Sequence, residues 1–440
     1  MTVQIPESVR FCIDTLEQAG FAAYLVGGCV RDAYLGLVPH DFDLTTSALP
    51  EQTEAVFADF PLVLAGKKHG TIGVVTDSGV VEITTFRTEG DYADSRHPQW
   101  VEFVPDITQD LARRDFTINA MAWSPKRGFA DPFGGRADLE NKCLRAVGDP
   151  AARFEEDALR ILRGIRFSAR FGLALESATK EAMFALAPRL EFLARERVFE
   201  ELSRFLLQAE AAHLTEFAPI LAQAVGELAP LIGFDQKNTH HSYDVYTHTA
   251  YVTASVPPVP ALRWAALLHD TGKPATFTVD AAGQGHFYGH AAESAAIAET
   301  VLRRLKAPTA LREQVVLLIG LHMTKLEPDK RLLRRRLSRL GEETLLQLLC
   351  LQEADMGSKG TGIPAESAQF PQLRQLLAEI KAENACLSVK DLSVNGHDLM
   401  AMGLSGPAIG KTLNELLEQV LDETLPNEKE ALLSAAKHFI

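Results

Sequence analysis

The pattern of apolar and polar positions separates a strand-containing first third of the chain from a helical remainder. Short apolar runs at 22–26, 41–45, 71–76 and 79–86 have the length and composition of strands, and helix-length segments lie between them. After about residue 148, apolar positions recur at helical spacing almost throughout. The pattern predicts an α+β N-terminal head, a small mixed sheet with helices beside it, followed by an all-α remainder.

The helical remainder divides further where its motifs change. We predict a head over 1–147, a helical neck over 148–230, a helical body over 231–360 and a helical tail over 361–440. A chain of 440 residues, 46% of them hydrophobic, can bury more than one core.

A glycine turn in the head is the first candidate site. Gly27 and Gly28 follow an apolar strand and open a helix, so backbone amides at the helix N-terminus would face an anion such as phosphate. Arg31 adds a positive charge one turn later. Strand alternation would direct the carboxylates of Asp41 and Asp43 to one face, where they would share Mg²⁺ ions that bridge to a triphosphate. These features predict a site that transfers phosphorus groups.

Glu82 lies in a later predicted strand and could add a third carboxylate to this pair. We interpret it instead as an exposed strand residue and leave it out of the metal ligands.

A second candidate site lies on the polar face of an amphipathic helix predicted over 153–170. An ion-paired, solvated face is one interpretation. Base chemistry offers another, because cytosine and adenine both present an amino donor beside a ring-nitrogen acceptor, whereas uracil and guanine present the opposite pattern. Asp157 as acceptor and Arg160 as donor would therefore act as a protein template for CTP and ATP.

A third set of candidate residues lies on or beside helical segments of the body. Neutral imidazoles and carboxylates are the ligands that divalent transition metals prefer, and an adjacent His-Asp pair lets one short segment supply two of them. The predicted second metal site comprises His248, His269, Asp270 and Asp355, with His290 and His322 in the same constellation.

Charge and cysteine content bear on the possible binding partners and on the cellular compartment. The net charge is −14, yet residues 151–207 carry a net charge of +1, and RNA binding depends on local clusters of basic groups. The acidic total therefore does not exclude an RNA partner. Five scattered cysteines without Cys-x-x-Cys spacing, and the lack of a signal peptide or a membrane-length apolar run, predict a cytoplasmic protein with no membrane partner.

The head and neck motifs together resemble those of the class II tRNA nucleotidyltransferases, the CCA-adding enzymes, and their bacterial poly(A) polymerase relatives. The segments that carry the resemblance are Gly27–Asp32, Asp41–Asp43, Asp110–Ala122 and Glu156–Arg160. The resemblance implies that Asp41 and Asp43 are catalytic and hold Mg²⁺, while the 3′-hydroxyl of tRNA attacks the α-phosphorus of CTP or ATP.

The resemblance also implies roles for further residues. Asp115 would hold an arginine in place, and Glu196–Leu202 matches a family motif that looks structural. The implied nucleotide-binding residues are Gly28, Arg31, Arg114, Asp157, Arg160, Arg163 and Arg166.

The segment Leu267–Pro274 resembles the HD phosphohydrolase superfamily, in which a bound metal activates water against phosphoesters. The body is therefore expected to be HD-type and to hold a transition metal. The basic run 330–339 predicts a solvated helix face or a contact with the tRNA backbone.

Three alternatives to full CCA addition stay open. An enzyme that adds only A shares every motif above. A poly(A) polymerase is disfavoured, because Leu64–Thr71 resembles the CCA-type phrase. An HD phosphohydrolase acting on 2′,3′-cyclic phosphodiesters or phosphomonoesters would place the main or a second activity in the body. The polar segment 88–99 resembles a loop that enzymes adding only C have shortened, which disfavours that class.

Overall fold

The computed structural model describes residues 4–39, 41–90, 100–237, 242–360 and 365–439. The chain divides into two compact units, Met1–Gly226 and Glu227–Ile440. The finer division into head, neck, body and tail stays a prediction. Most of the segment 88–99, discussed above as a loop, lies outside the described residues.

The first unit contains a mixed sheet with helices beside it. Its strands are β1 (Ala23–Val26), β2 (Asp43–Thr46), β3 (Leu62–Val63), β4 (Thr71–Thr76), β5 (Gly79–Thr85), β6 (Arg87–Glu89), β7 (Val101–Phe103), β8 (Ala122–Ser124), β9 (Gly128–Ala130), β10 (Cys143–Leu144) and β11 (Ala174–Leu175). Its helices are α1 (Glu7–Gln18), α2 (Gly28–Tyr34), α3 (Pro50–Val56), α4 (Ile107–Ala112), α5 (Gly135–Glu140), α6 (Pro150–Glu156), α7 (Leu159–Phe171), α8 (Ser177–Leu186), α9 (Arg195–Leu206), α10 (Ala211–Glu216) and α11 (Ala218–Ala224).

Seven strands form the main sheet in the order β3-β4-β5-β2-β1-β8-β9. The pair β2 and β5 is parallel, and the other neighbours are antiparallel. Alternation along β5 buries Val81, Ile83 and Thr85 and leaves Glu82 exposed. Since Leu44 of β2 pairs with Ile83, the register brings Asp43 beside Glu82.

The α+β head predicted from the sequence is confirmed, and its predicted strands 71–76 and 79–86 form the antiparallel pair β4 and β5. One detail of the metal-binding strand is different, because β2 begins at Asp43 and Asp41 precedes it. The partner strand β1 ends at Val26, opposite Asp43, where the chain turns at Gly27 with a φ of +73°. No partner strand therefore lies opposite Asp41 among the described residues.

The described residues of the second unit are helical or irregular apart from the two-residue strands β12 (Thr278–Val279) and β13 (Gly285–His286). No helix of the described residues is both long and apolar enough to cross a membrane. The helices are α12 (Val245–Ser255), α13 (Pro260–Leu268), α14 (Lys273–Thr276), α15 (His290–Arg304), α16 (Thr309–Leu321), α17 (Lys330–Leu340), α18 (Glu342–Gly357), α19 (Gln369–Ala382), α20 (Gly396–Ala401), α21 (Pro407–Leu421) and α22 (Lys429–Ala436).

Helix α17 carries the basic run, and acidic side chains of neighbouring helices pair with its arginines. Arg334 pairs with Glu383 at 3.0 Å and also with Glu423. Arg335 pairs with Asp422 and lies 3.6 Å from Glu418. These contacts favour a structural role for the run over the predicted alternative of a tRNA backbone contact.

We expect Arg334→Ala to lower the free energy of unfolding by about 1 kcal/mol, because two ion pairs with half-exposed carboxylates are lost. Urea denaturation of the full chain measures this. The salt dependence of tRNA affinity should not change, since Arg334 already has carboxylate partners. A shallower dependence of log Kd on log salt in the variant would instead indicate a phosphate contact.

Candidate nucleotide site and histidine cluster

One large cavity in the first unit, of about 950 Å³, brings together all nine residues predicted in the head and neck. It is lined by the glycine turn, the start of β2, the end of α4 and the polar faces of α7 and α9. The nine predicted residues are Gly28, Arg31, Asp41, Asp43, Arg114, Asp157, Arg160, Arg163 and Arg166.

Three of the carboxylates that line this cavity come from β2, from the segment just before it and from the neighbouring strand β5. Asp41 and Asp43 both line it, and Glu82, which we left out of the ligands, lines it as well. Partial desolvation raises the pKa of Asp43, Arg114 opposes that shift, and the charge of Asp41 adds to it. Oxygen donors crowded in this way suit a hard divalent cation.

The glycine turn brings Arg114 against the backbone. A Cβ at Gly27 would lie 2.7 Å from Nη1 of Arg114, so a side chain at this position would displace the guanidinium. Asp110 holds both neighbouring arginines, with Arg113 at 3.0 Å and Arg114 at 3.5 Å. The turn and the end of α4 therefore position Arg114 together.

A hydrogen-bonded chain links Arg31 to Arg163 across the cavity wall. Arg31 Nη1 donates to Asn119 Oδ1 at 2.5 Å, and Asn119 Nδ2 donates to Asp115 Oδ1 at 3.0 Å. Asp115 Oδ2 accepts from Arg163 Nε at 2.7 Å. Asp115 thus holds an arginine, as the resemblance implies. Burial raises its pKa, but Arg163 and Asn119 outweigh burial and bring the pKa of Asp115 down to about 2.

We expect the Asp115 network to stabilise the protein by about 2–3 kcal/mol above pH 4. A depressed folded-state pKa contributes stability that is present above the unfolded value of about 3.9 and is lost as pH falls towards 2. Denaturation of wild type and Asp115→Asn between pH 2 and 6 measures this. The stability difference should shrink as the pH falls, and a difference independent of pH would contradict the assignment.

The helix predicted over 153–170 is broken at Asp157, and the prediction of one continuous helix is wrong. Asp157 has extended backbone angles, φ −143° and ψ 102°, between α6 and α7. Its Oδ1 accepts from the backbone N–H of Leu159 at 2.9 Å, which replaces a bond that the interrupted helix cannot make. Its Oδ2 accepts from Arg197 Nη2 at 2.9 Å. The break presents the carboxylate to the cavity.

Two further arginines of α7, Arg160 and Arg166, are buried and are fixed by hydrogen-bond partners rather than solvated. Arg160, only 8% exposed, donates to Glu156 at 2.7 Å and to the Arg113 carbonyl at 3.0 Å. Arg166, only 7% exposed, donates from Nε to Glu201 Oε2 at 2.5 Å. Burial lowers the pKa of Arg166 and Glu201 opposes that shift. The guanidinium groups of Arg160 and Arg166 are therefore held in position before any ligand binds.

Further basic residues of the cavity were missed from the sequence. Arg170 and Arg204 line it, seven residues after Arg163 and Arg197 respectively, and this spacing places each pair on one helix face. This seven-residue spacing is the sequence signal that could have identified Arg170 and Arg204 as residues of the site. In total ten arginines and six carboxylates line the cavity, so the local charge is positive although the chain is acidic. An excess of positive charge in the cavity favours the binding of a polyanion.

The histidine cluster of the second unit brings all six predicted residues together. His248 Nε2 lies 3.0 Å from Asp355 Oδ1, and His269 Nε2 lies 3.2 Å from Asp270 Oδ2. His248, His269 and Asp270 are at most 1% exposed. His269 Nε2 is buried without a partner of hydrogen-bonding geometry, and Asp270 Oδ2 lies 2.8 Å from the Lys273 ammonium. The imidazoles and carboxylates gathered here fit a divalent transition metal.

The remaining two histidines complete the cluster, and the ring of His322 lies 5.3 Å from that of His269 between centroids. His290 Nε2 is 3.5 Å from Asp270 Oδ1, and His322 Nε2 is 3.2 Å from His290 Nε2. Burial lowers the pKa of His322 to about 4 and also lowers the pKa of His290. Both imidazoles are therefore neutral near pH 7.

Models of three protein families match parts of the chain. The "Poly A polymerase head domain" matches residues 23–145, and the "Probable RNA and SrmB- binding site of polymerase A" matches 172–216. Domain 2 of tRNA nucleotidyltransferases matches 289–436.

The chain is similar along its whole length to curated CCA-adding enzymes. It is 33% identical to that of Streptococcus mutans over 433 residues, 97% of this chain and 96% of that protein. It is 48% identical to that of Streptococcus suis over 195 residues, 44% of this chain, and this match spans 48%, about half, of the relative's length. A solved structure, the Bacillus stearothermophilus CCA-adding enzyme in complex with CTP, is 28% identical with a TM-score of 0.71, covering 98% of this chain and 96% of that one.

Proposed function

The chain belongs to the family of CCA-adding enzymes, and from this premise we propose that it adds C, C and then A to the 3′ end of tRNA, using CTP and ATP. The observation that carries the proposal is the single net-positive cavity lined by all nine predicted residues. The free state of all five cysteines supports a reducing compartment, and we infer that the reaction takes place in the cytoplasm.

In the proposed reaction the tRNA 3′-hydroxyl attacks the α-phosphorus of the nucleotide, and pyrophosphate leaves. Asp41 and Asp43 would hold Mg²⁺, since both carboxylates line the cavity. When bound, Mg²⁺ lowers the pKa of the hydroxyl and stabilises charge on the attacking and leaving oxygens. Arg31 and Arg114 orient the triphosphate or sugar, and the Asp115 network keeps Arg163 directed at the nucleotide.

Base selection is assigned to Asp157 and Arg160. The carboxylate accepts from the exocyclic amino group of cytosine or adenine, and the guanidinium donates to the neighbouring ring nitrogen. Arg197 and the Leu159 N–H fix Asp157, while Glu156 fixes Arg160, so the template does not depend on an RNA strand. An enzyme that adds only A would use the same pair, and the following experiment separates the two.

The test uses one tRNA transcript in three forms, ending before CCA, after C and after CC. Each form is incubated with Mg²⁺ and CTP, ATP or both, and products are sized at single-nucleotide resolution. Addition of C, C and a single A supports the proposal. Growth only from the CC form with ATP would indicate an A-adding enzyme, long A tracts a poly(A) polymerase, and no growth would refute nucleotidyl transfer.

We propose a second activity for the histidine cluster, because four buried imidazoles and two carboxylates converge there and His269 Nε2 has no hydrogen-bond partner. His248, His269, Asp270 and Asp355 would hold a divalent transition metal. When bound, such a metal supplies an activated water for phosphoester hydrolysis. Hydrolysis of a 2′,3′-cyclic nucleotide that survives Asp41→Ala and is lost in Asp270→Ala supports the proposal. Lack of turnover with Mn²⁺, Co²⁺, Ni²⁺ and Zn²⁺ would refute the hydrolase activity.

A further inference from the structure

We propose that Arg170 and Arg204 form a subsite for a diphosphate anion, which holds the two terminal phosphates of the bound nucleotide and then the pyrophosphate that leaves. The proposal rests on the nucleotide site proposed above and gives a role to two arginines that have none in it. Both side chains line the large cavity of the first unit. Arg170 lies in the last turn of α7, and Arg204 lies in the last turn of α9.

Salt bridges between α7 and α9 show how the two helices are aligned. Asp157, just before α7, pairs with Arg197 at 2.9 Å, and Arg166 pairs with Glu201 at 2.5 Å. Because the residue numbers of the partners rise together on both helices, α7 and α9 run in the same direction. Each of these two contacts joins a positive to a negative side chain, so neither leaves a net charge.

One turn beyond the second salt bridge, both helices present an arginine. Arg170 is four residues after Arg166, and Arg204 is three residues after Glu201, so each lies on the same helix face as that pair. Burial lowers the pKa of Arg166, Glu201 opposes that shift, and the charge of Arg204 adds to it. The third position along the two helices therefore combines two positive charges, where the first two positions combine opposite ones.

Carboxylates do not balance these two arginines. Asp32 lies 3.5 Å from Nη2 of Arg170, but it lies closer to Arg31, at 2.6 Å. Among the described residues, Arg204 has neither a hydrogen-bond nor an ion-pair partner. Three guanidinium groups therefore share one carboxylate, which leaves two positive charges for a ligand. A compact anion with several acceptor oxygens matches paired guanidinium donors.

The position along α7 selects the phosphate end of the nucleotide rather than its base. Asp157 and Arg160, at the start of the helix, are assigned to the base. Arg170 is ten residues after Arg160, about 15 Å along the helix axis. There it lies beside Arg31, which the proposed reaction assigns to the triphosphate or sugar. Burial lowers the pKa of Arg31, Asp32 opposes that shift, and the charge of Arg170 adds to it.

Occupancy of this subsite differs between the nucleotide substrate and its fragments. CTP and pyrophosphate carry the terminal phosphates, whereas CMP has only the base, the sugar and the α-phosphate. The subsite therefore adds affinity for CTP and for pyrophosphate and none for CMP. It also retains pyrophosphate after the α–β phosphoanhydride bond breaks, so pyrophosphate competes with the next CTP.

The test measures the affinity of the full chain for CTP, CMP and inorganic pyrophosphate by calorimetry, with Mg²⁺ and without tRNA. In Arg170→Gln and in Arg204→Gln we expect CTP and pyrophosphate to bind about tenfold more weakly or worse, because hydrogen bonds to a charged group are lost. CMP affinity should not change. Arg170→Lys and Arg204→Lys keep the charge and should retain part of the affinity. Lys180→Gln is the matched control, since Lys180 pairs with Glu216 and does not line the cavity.

Equal weakening of CTP and CMP would indicate a distorted cavity and overturn the subsite, as would pyrophosphate affinity that neither glutamine variant changes. The RNA backbone is the other source of phosphates, so a second arm measures tRNA affinity against salt concentration. A shallower dependence of log Kd on log salt, with pyrophosphate binding unchanged, would assign the two arginines to RNA and overturn the proposal. If the wild type binds pyrophosphate as expected and adds no C to tRNA, the proposed function fails and the anion subsite stands.

Discussion

Replacing Asp43 by alanine is expected to reduce nucleotide addition at least about 1,000-fold, the loss of roughly 4 kcal/mol of transition-state stabilisation. Asp43 lines the cavity at the first residue of β2, where strand pairing with Val26 fixes its backbone. Asp43 is not a buried core residue, so the substitution removes a metal ligand without opening the core. Single-turnover addition of C to a tRNA ending before CCA, at saturating Mg²⁺ and CTP, measures the effect.

Asp59→Ala is the matched control for Asp43→Ala, because Asp59 is an exposed aspartate of the same unit that does not line the cavity. The control should add C at the wild-type rate, and thermal denaturation should give both variants wild-type stability within about 1 kcal/mol. A loss below about tenfold in a folded Asp43→Ala protein would exclude the carboxylate as an essential metal ligand.

The fold of the head could be predicted because its signals are local. Alternation in 79–86, the turn before Gly79 and the apolar run at 22–26 each define a strand within a few residues. The first residue of β2 could not be placed in the same way, because it depends on where the partner strand β1 stops. Asp41 therefore reaches the cavity from the segment before the strand. The prediction that Asp41 and Asp43 lie together is correct, but strand alternation is not the reason.

The nucleotide-selecting helix shows a second limit of sequence reasoning. Apolar spacing over 153–170 is continuous across Asp157, so periodicity alone predicts one helix. The break depends on the preference of an aspartate side chain for capping a backbone N–H, and on Arg197, 40 residues away, which takes the other carboxylate oxygen. Long-range partners of this kind are invisible in a single sequence.

Ligand chemistry in the second unit could be predicted, and its geometry could not. The spacing of histidines and aspartates indicated a transition-metal set, because few other roles require so many imidazoles together. Only the structure shows that His290 and His322, 32 residues apart, lie together beside Asp270.

Replacing Asp157 by asparagine is expected to change which base the enzyme accepts. Sites that hydrogen-bond a substrate reject analogues with the wrong donors by about 10⁴–10⁵. Asparagine keeps an oxygen for the Leu159 N–H and offers an amide donor that suits O4 of uracil. We expect the ratio of kcat/KM for CTP over UTP to fall by about 100-fold or more, measured for one addition to a tRNA ending before CCA.

Glu155→Gln is the matched control for this substitution, because Glu155 is an exposed acid two residues earlier on α6. It should keep the wild-type preference for CTP. Asp157 also anchors Arg197, so a purely positional role is the competing explanation. That role predicts equal losses of kcat/KM for CTP and UTP in Asp157→Asn, whereas a template role requires the preference itself to change. A constant ratio with a lower rate would therefore assign Asp157 to holding the cavity together and leave base selection to another residue.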